Sequence, residues 1–177
     1  MLWTRVGYAG GTSPAPTYAD LGDHSEAIEV GYDPRRIGYD QLLTEFFAAH
    51  VPDEGEPWSR QYRSAIFVGG EMERDAAELA RRIAARRLGR PVSTAIEDAG
   101  TFWAAEDYHQ KYTLRSSPGV WAEIAAAYPA VDDLVRSTAA ARLNAWIAGY
   151  GTEAEIARDA KAVGLSDAAR AELLRRR

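Results

Sequence analysis

Residues 24–34 read His24-Ser25-Glu26-Ala27-Ile28-Glu29-Val30-Gly31-Tyr32-Asp33-Pro34. From His24 to Val30 the side chains alternate, with His24, Glu26, Ile28 and Val30 on one face and Ser25, Ala27 and Glu29 on the other, the period of a strand. Asp33-Pro34 breaks it. The period then changes. Across Tyr39 to His50, Leu42, Leu43, Phe46, Phe47 and His50 fall at helical spacing and predict an amphipathic helix. A strand followed by a helix, each with one apolar face, points to a mixed fold of class α+β.

Neighbouring segments extend this reading in both directions. Upstream, Thr4 to Ala9 is β-prone and closes on Gly10-Gly11, while Thr12 to Pro16 holds two prolines and reads as loop. Downstream, a polar loop over Val51 to Pro57 leads to a β-prone run from Tyr62 to Val68, closed by Gly69-Gly70. Glu71 to Leu88 predicts a long helix with Met72, Ala76, Leu79 and Ile83 along one stripe, and Val92 to Ile96 a short strand. Thr101 to Tyr112 is aromatic, with Phe102, Trp103, Tyr108 and Tyr112. Beyond Pro118 the pattern is helical: Trp121 to Tyr128, Thr138 to Ile147, Thr152 to Val163 and Asp167 to Arg176, punctuated by Gly149, Gly151 and Gly164. The expectation is an α+β domain over 1–116 with a helical extension over 117–177 packed on it. A small separate helical domain is the alternative.

Composition narrows the function classes. Of 177 residues, 46% are hydrophobic and 27% charged, as in globular chains. A formal net charge of −5 argues against nucleic acid, whose phosphates need clustered Lys and Arg. The basic run Arg175 to Arg177 reads as a solvated tail. No apolar run approaches the roughly 20 residues of a membrane span, so no membrane partner is expected. Met1-Leu2-Trp3-Thr4-Arg5 lacks the features of a signal peptide, which predicts a cytoplasmic protein. There are no cysteines, which excludes disulfides, thiolate metal sites and cysteine nucleophiles within these residues.

Few residues offer chemistry by pattern alone. His24, His50 and His109 match no compact metal-ligand spacing, so no metal is expected. Gly10-Gly11 and Gly69-Gly70 are turn glycines outside any phosphate-loop context. Glu26 stands out because it is in phase with Ile28 and Val30. A carboxyl pushed toward an apolar interior is desolvated, which raises its pKa and suits it to donate a proton. The competing reading is a Glu at a strand start, bonded to backbone or pointing past the sheet edge. Tyr18 and Tyr62, taken alone, are packing aromatics.

A family resemblance gives these residues a second meaning. The strings Arg5-Val6-Gly7-Tyr8-Ala9-Gly10-Gly11, Pro16-Thr17-Tyr18 and Gly22-Asp23-His24-Ser25-Glu26-Ala27 resemble the A-type peptide methionine-sulfoxide reductases. So do Tyr32-Asp33-Pro34, Tyr39-Asp40-Gln41-Leu42-Leu43, Trp58-Ser59-Arg60-Gln61-Tyr62-Arg63-Ser64-Ala65-Ile66-Phe67 and Ala105-Glu106-Asp107-Tyr108-His109-Gln110. These run in the family's order from Arg5 to Tyr112, and the tail around Ser137 to Asn144 resembles that of one branch.

The resemblance implies a ferredoxin-like α/β sandwich and a peptide-methionine (S)-S-oxide reductase that repairs oxidised methionine under oxidative stress. It implies that Glu26 gives a proton to the sulfoxide oxygen while Tyr18 and Tyr62 hold that oxygen. A cysteine thiolate attacks sulfur and becomes a sulfenic acid, reduced later by an external thiol such as the thioredoxin or glutathione system. No other cofactor is implied, and the expected state is a monomer acting on free or protein-bound methionine sulfoxide.

The sequence departs from the family in one decisive respect. The family's Gly-Cys-Phe-Trp-Gly segment would lie before Arg5, and these residues start at Met1 without it. The sandwich is therefore expected to lack its first strand and helix. Arg5–Ala9, Ser25–Val30 and Tyr62–Val68 should then share one sheet bearing a gap, an exposed edge or a substitute element. An Asp that many members carry shortly before Tyr62 is replaced near Pro57. The expectations are a chain inactive as written, a gene product truncated upstream (with Cys or selenocysteine in the missing part), a non-catalytic module binding oxidised methionine, or a decayed pseudoenzyme.

Overall fold

The strand-then-helix reading of residues 24–50 holds in the computed structural model, which describes residues 1–52, 55 and 57–175. The strands are β1 (Trp3–Ala9), β2 (Ser25–Gly31), β3 (Ala65–Val68), β4 (Ala95–Asp98) and β5 (Trp103–Ala104). The helices are α1 (Tyr39–Ala49), α2 (Glu71–Leu88), α3 (Tyr112–Arg115), α4 (Pro118–Ala127), α5 (Val131–Arg136), α6 (Thr138–Ile147), α7 (Glu153–Val163) and α8 (Asp167–Arg175). A 3-10 turn covers Asp107–His109. The fold is α+β, as expected. The last residue of the helix expected to end at Arg176, the ends of the basic run, and residues 53, 54 and 56 of the polar loop lie outside the described residues.

The chain divides into two compact units. One comprises Val6–Ile28 and Tyr32–Ala105; the other comprises Met1–Arg5, Glu29–Gly31 and Glu106–Arg177. In the first, β3 and β4 pair in parallel, with Ala65 opposite Ala95 and Val68 opposite Asp98, joined by the α2 crossover. Apolar spacing in α1 aims Leu43 and Phe47 inward, where they meet Ile66, Val68, Ala77 and Ala84. Gly89 ends α2 in the left-handed region at φ 67°, its N–H returning to the carbonyls of Ala85 and Arg86.

The helical unit buries Leu114, Val120, Ile124, Leu143, Ile156 and Leu173 in one cluster. Several of its helix N-termini are closed by side chains. Ser137 Oγ accepts from Ala140 N at the start of α6, and Thr152 and Glu155 form a reciprocal capping box on α7. Helices α4 and α8 cap one another. Glu172 on α8 accepts from Gly119 N (3.0 Å) and Ser117 Oγ (2.7 Å), while Glu123 on α4 accepts from Ser166 N (2.9 Å). The bonds from Ser166 hold the Glu123 carboxyl below its usual range. No helix among the described residues is long and apolar enough to cross a membrane.

Four expectations are corrected. First, β1, β2 and β3 do not share a sheet: β2, β1 and β5 form one, in that order, and β3 pairs with β4 in another. Glu26 N on β2 donates to Gln61 O in the turn before β3, and the Ser25 hydroxyl donates to Arg60 O beside it. Second, β3 begins at Ala65, so Tyr62 sits in a turn, and β4 runs over Ala95–Asp98 instead of Val92–Ile96. Third, the packed face of α2 is rotated from the expected stripe, of which only Ala76 packs against the core cluster. Met72, Leu79 and Ile83 are 88%, 52% and 56% exposed, while Ala77 and Ala84 take the packed face, where small side chains let α2 approach α1. Fourth, α3 and α5 were not anticipated from the sequence.

Candidate active site

The site lies within the first unit and is assembled by three segments: the loop over residues 10–24, the start of β2, and the turn over residues 59–63. The loop is anchored at both ends. Gly10 takes φ 76°, where a side chain would be strained, and a Cβ there would stand 2.5 Å from the Phe67 ring. Asp23 accepts from Thr12 N (2.8 Å) and Ser13 N (2.9 Å) and from the Thr12 hydroxyl (2.9 Å). These donors, the Ser13 backbone foremost, hold its carboxyl far below the usual range. Buried His24 accepts at Nδ1 from Gly11 N (3.2 Å) and donates from Nε2 to Ser13 O (2.9 Å).

Arginines tie the turn to that loop and to β2. Arg60 donates to Gly10 O (2.7 Å) and to Asp23 O. Ser25 Oγ donates to Arg60 O (2.8 Å) and accepts from Arg63 Nε (2.8 Å). The buried Arg63 guanidinium forms a two-pronged pair with Glu97 on β4, and this hydrogen-bonded pairing depresses the Glu97 carboxyl. With these bonds in place the 60–63 turn runs beside the first residues of β2.

On this frame Tyr18, Glu26 and Tyr62 converge. Gln61 Nε2 donates to Glu26 Oε1 (2.7 Å) and to Tyr62 Oη (2.9 Å). Tyr62 is hydrogen-bonded in turn to Tyr18. Its phenol is held above the ordinary value, first by desolvation, then by the Tyr18 bond and by the charges of Tyr18 and Glu26, with the Gln61 bond pulling the other way. Tyr18 and Tyr62 are 47% and 49% exposed. The Trp58 ring, 81% exposed, lies 5.3 Å from that of Tyr62. The result is an aligned set of phenol, amide and carboxyl groups open to solvent beside an aromatic surface.

Two points differ from the sequence reading. Glu26 is exposed, not buried, and the desolvation argument loses its basis. Alternation in a strand defines two faces without saying which is covered, and here the Ser25 and Ala27 face is the better covered one. Gln61, which bridges the carboxyl and the phenol, was not singled out. Its signal was adjacency to Tyr62 within the Trp58–Phe67 string, but its partner Glu26 stands 35 residues away.

The remaining histidines are engaged elsewhere. His50 donates from Nδ1 to Phe46 O (2.7 Å) and accepts from Ser64 Oγ (2.8 Å), and His109 pairs with Glu106 at 4.0 Å. Among the described residues no three His, Cys, Asp or Glu side chains group as metal ligands.

Fold and cluster together define an α+β protein with a polar site built from a loop, an edge strand and a turn. Residues 1–141 match the family model described as peptide methionine sulfoxide reductase. Peptide methionine sulfoxide reductase A5 of Oryza sativa subsp. japonica is 41% identical over 153 residues, covering 84% of this chain and 59% of its own. The MsrA of Pseudomonas fluorescens is 46% identical over 126 residues, covering 67% and 60%. Among solved structures, methionine sulfoxide reductase A of Corynebacterium diphtheriae aligns with a TM-score of 0.53 at 33% identity, covering 66% of this chain and 64% of that one. Reduced Mxr1 of Saccharomyces cerevisiae aligns with a TM-score of 0.55 at 29% identity, covering 65% and 71%. The chain belongs to the peptide methionine sulfoxide reductase family. It spans about six tenths of the length of the curated relatives it matches.

Proposed function

We propose that the Tyr18–Tyr62–Gln61–Glu26 cluster is the oxygen-handling half of a site that reduces methionine sulfoxide to methionine. The observation that carries the reading is the convergence of these side chains from a loop, a strand start and a turn. A sulfoxide oxygen carries substantial negative charge and accepts hydrogen bonds. Phenol hydroxyls and a protonated carboxyl are suitable donors to it. A methionine sulfoxide side chain laid across Trp58 and Tyr62 would exclude water from Glu26, and desolvation favours the neutral carboxyl that can donate.

In the reaction a thiolate attacks the sulfur, Glu26 delivers its proton to the oxygen, and the sulfur–oxygen bond breaks. Oxygen leaves on the thiol as a sulfenic acid and methionine departs. Two further thiols, from a thioredoxin or glutathione system, return the sulfenic acid to thiol, releasing water and a disulfide. These 177 residues contain no cysteine, so the attacking thiol is not among them. That composition also favours a second reading, a non-catalytic module that binds oxidised methionine through the same cluster.

Both readings require recognition of the sulfoxide oxygen. N-acetyl-methionine (S)-sulfoxide methylamide, followed by NMR titration, should bind more tightly than the corresponding thioether. Tyr62→Phe should weaken sulfoxide binding about fivefold, the effect of one neutral hydrogen bond. Equal binding of sulfoxide and thioether would overturn both readings. Turnover of the sulfoxide by the 177-residue chain with dithiothreitol would overturn the assignment of the thiol to residues outside it.

A further inference from the structure

We propose that Gln61 is the positioning residue of this site, its amide setting which oxygens of Glu26 and Tyr62 remain to donate to a bound sulfoxide. The inference rests on the reading of the cluster given above and deepens it. Gln61 places one amide nitrogen 2.7 Å from Glu26 Oε1 and 2.9 Å from Tyr62 Oη. An amide NH2 has two hydrogens and no acceptor, so both contacts are donations from Gln61. A carboxylate facing it fixes the amide's orientation, because an ionised carboxylate only accepts.

The consequences are directional. Oε1 of Glu26 is occupied as an acceptor, so a proton taken up by this carboxyl sits on Oε2, the oxygen turned from the amide. Tyr62 Oη accepts from Gln61 and so has its own hydrogen to give. Tyr62 is also hydrogen-bonded to Tyr18, and a bound sulfoxide oxygen competes with Tyr18 for that one hydrogen. With Gln61 donating to both groups, the hydrogen of Tyr62 and a proton taken up on Oε2 of Glu26 are the ones left for a sulfoxide oxygen. The backbone supports the arrangement, because Glu26 N donates to Gln61 O at 2.9 Å and ties the two residues together at main chain and side chain alike.

The test uses the 177-residue chain with Gln61→Leu, which removes the amide, and Gln61→Glu, which keeps the shape but offers no donor when ionised. Affinities for N-acetyl-methionine (S)-sulfoxide methylamide and for its thioether are read by NMR, together with the titration of the Tyr62 phenol. The expected result is a loss of about tenfold in sulfoxide affinity in both variants, with thioether affinity unchanged. In Gln61→Leu the Tyr62 phenol should also titrate higher, because the Gln61 bond lowers it. A residue that merely fills space would tolerate the isosteric Glu and would leave the phenol unmoved. Wild-type sulfoxide affinity in Gln61→Glu, or an unmoved Tyr62 titration in Gln61→Leu, overturns the proposal while the cluster reading stands. A wild-type chain that does not distinguish sulfoxide from thioether overturns the cluster reading, and this inference with it.

Discussion

Raising the pH should stabilise the helical unit, against the usual trend of alkaline destabilisation, and Lys111 is the reason. Its ammonium is almost fully enclosed and donates to Thr4 Oγ1 (3.0 Å) and Thr4 O. Burial lowers its pKa from 10.5 to about 8. The folded chain therefore releases this proton before the unfolded chain does. Between the two values the unfolded state binds more protons, so unfolding free energy rises with pH; below about 8 both states are charged and the full desolvation cost is present. Integrating the two titrations from about pH 7.5 to about pH 9.5 gives a gain of about 2 kcal/mol. Neutral lysine keeps two N–H donors, so the Thr4 bonds survive deprotonation.

The assay is urea unfolding followed by circular dichroism across that pH range, on wild type and on Lys111→Met. Stopping near pH 9.5 limits the contribution of tyrosines. One of them, Tyr39, is held up to about 12, chiefly by desolvation, and would favour unfolding at higher pH as the unfolded phenol ionises first. Wild type should gain stability with pH and Lys111→Met should not. A flat or falling wild-type profile, or an equal gain in the variant, would refute the reasoning.

The reciprocal caps make a second prediction: Glu172→Ala strips the acceptor from buried Ser117 Oγ and from Gly119 N, and should cost about 2 kcal/mol. Denaturant midpoints measure this, and an unchanged midpoint would show that the cap contributes nothing. Gly10→Ala puts a Cβ at a φ of 76° and 2.5 Å from the Phe67 ring, so it should destabilise by about 2–3 kcal/mol. Thermal unfolding at wild-type temperature would contradict that.

Much of the fold was legible because local chemistry and period agreed. The α2 helix runs over Glu71–Leu88 as read, bounded by Gly70 and by Gly89 in the left-handed region. Thr152 announces α7 through a cap that lies four residues from its partner or less. The α5 helix escaped because Val131–Arg136 is too short to show a period. Long-range choices were illegible for a different reason. The β-propensity of Tyr62 and Arg63 was real, but their backbone is committed to the turn that Arg60 and Arg63 tie to Ser25, some 35 residues distant. Likewise the covered face of β2 depends on those tertiary bonds, which a period of two cannot report. Strand phase drew attention to Glu26 for a burial it does not have, and Tyr18 and Tyr62 were candidates only through the family motifs. Gln61 carries no local signal of its role, since its partner Glu26 lies 35 residues away and meets it only in the folded chain.

The most direct measurement of the central claim joins this chain to an N-terminal segment carrying Gly-Cys-Phe-Trp-Gly and follows a single turnover. Mixing with excess methionine (S)-sulfoxide should produce one equivalent of methionine with sulfenic acid on the cysteine. Glu26→Gln should slow that step about 100-fold or more, the range of a lost general acid, with substrate affinity little changed. Undiminished reduction by the Glu26→Gln protein would contradict the assignment of the proton, and with it the role given to the cluster.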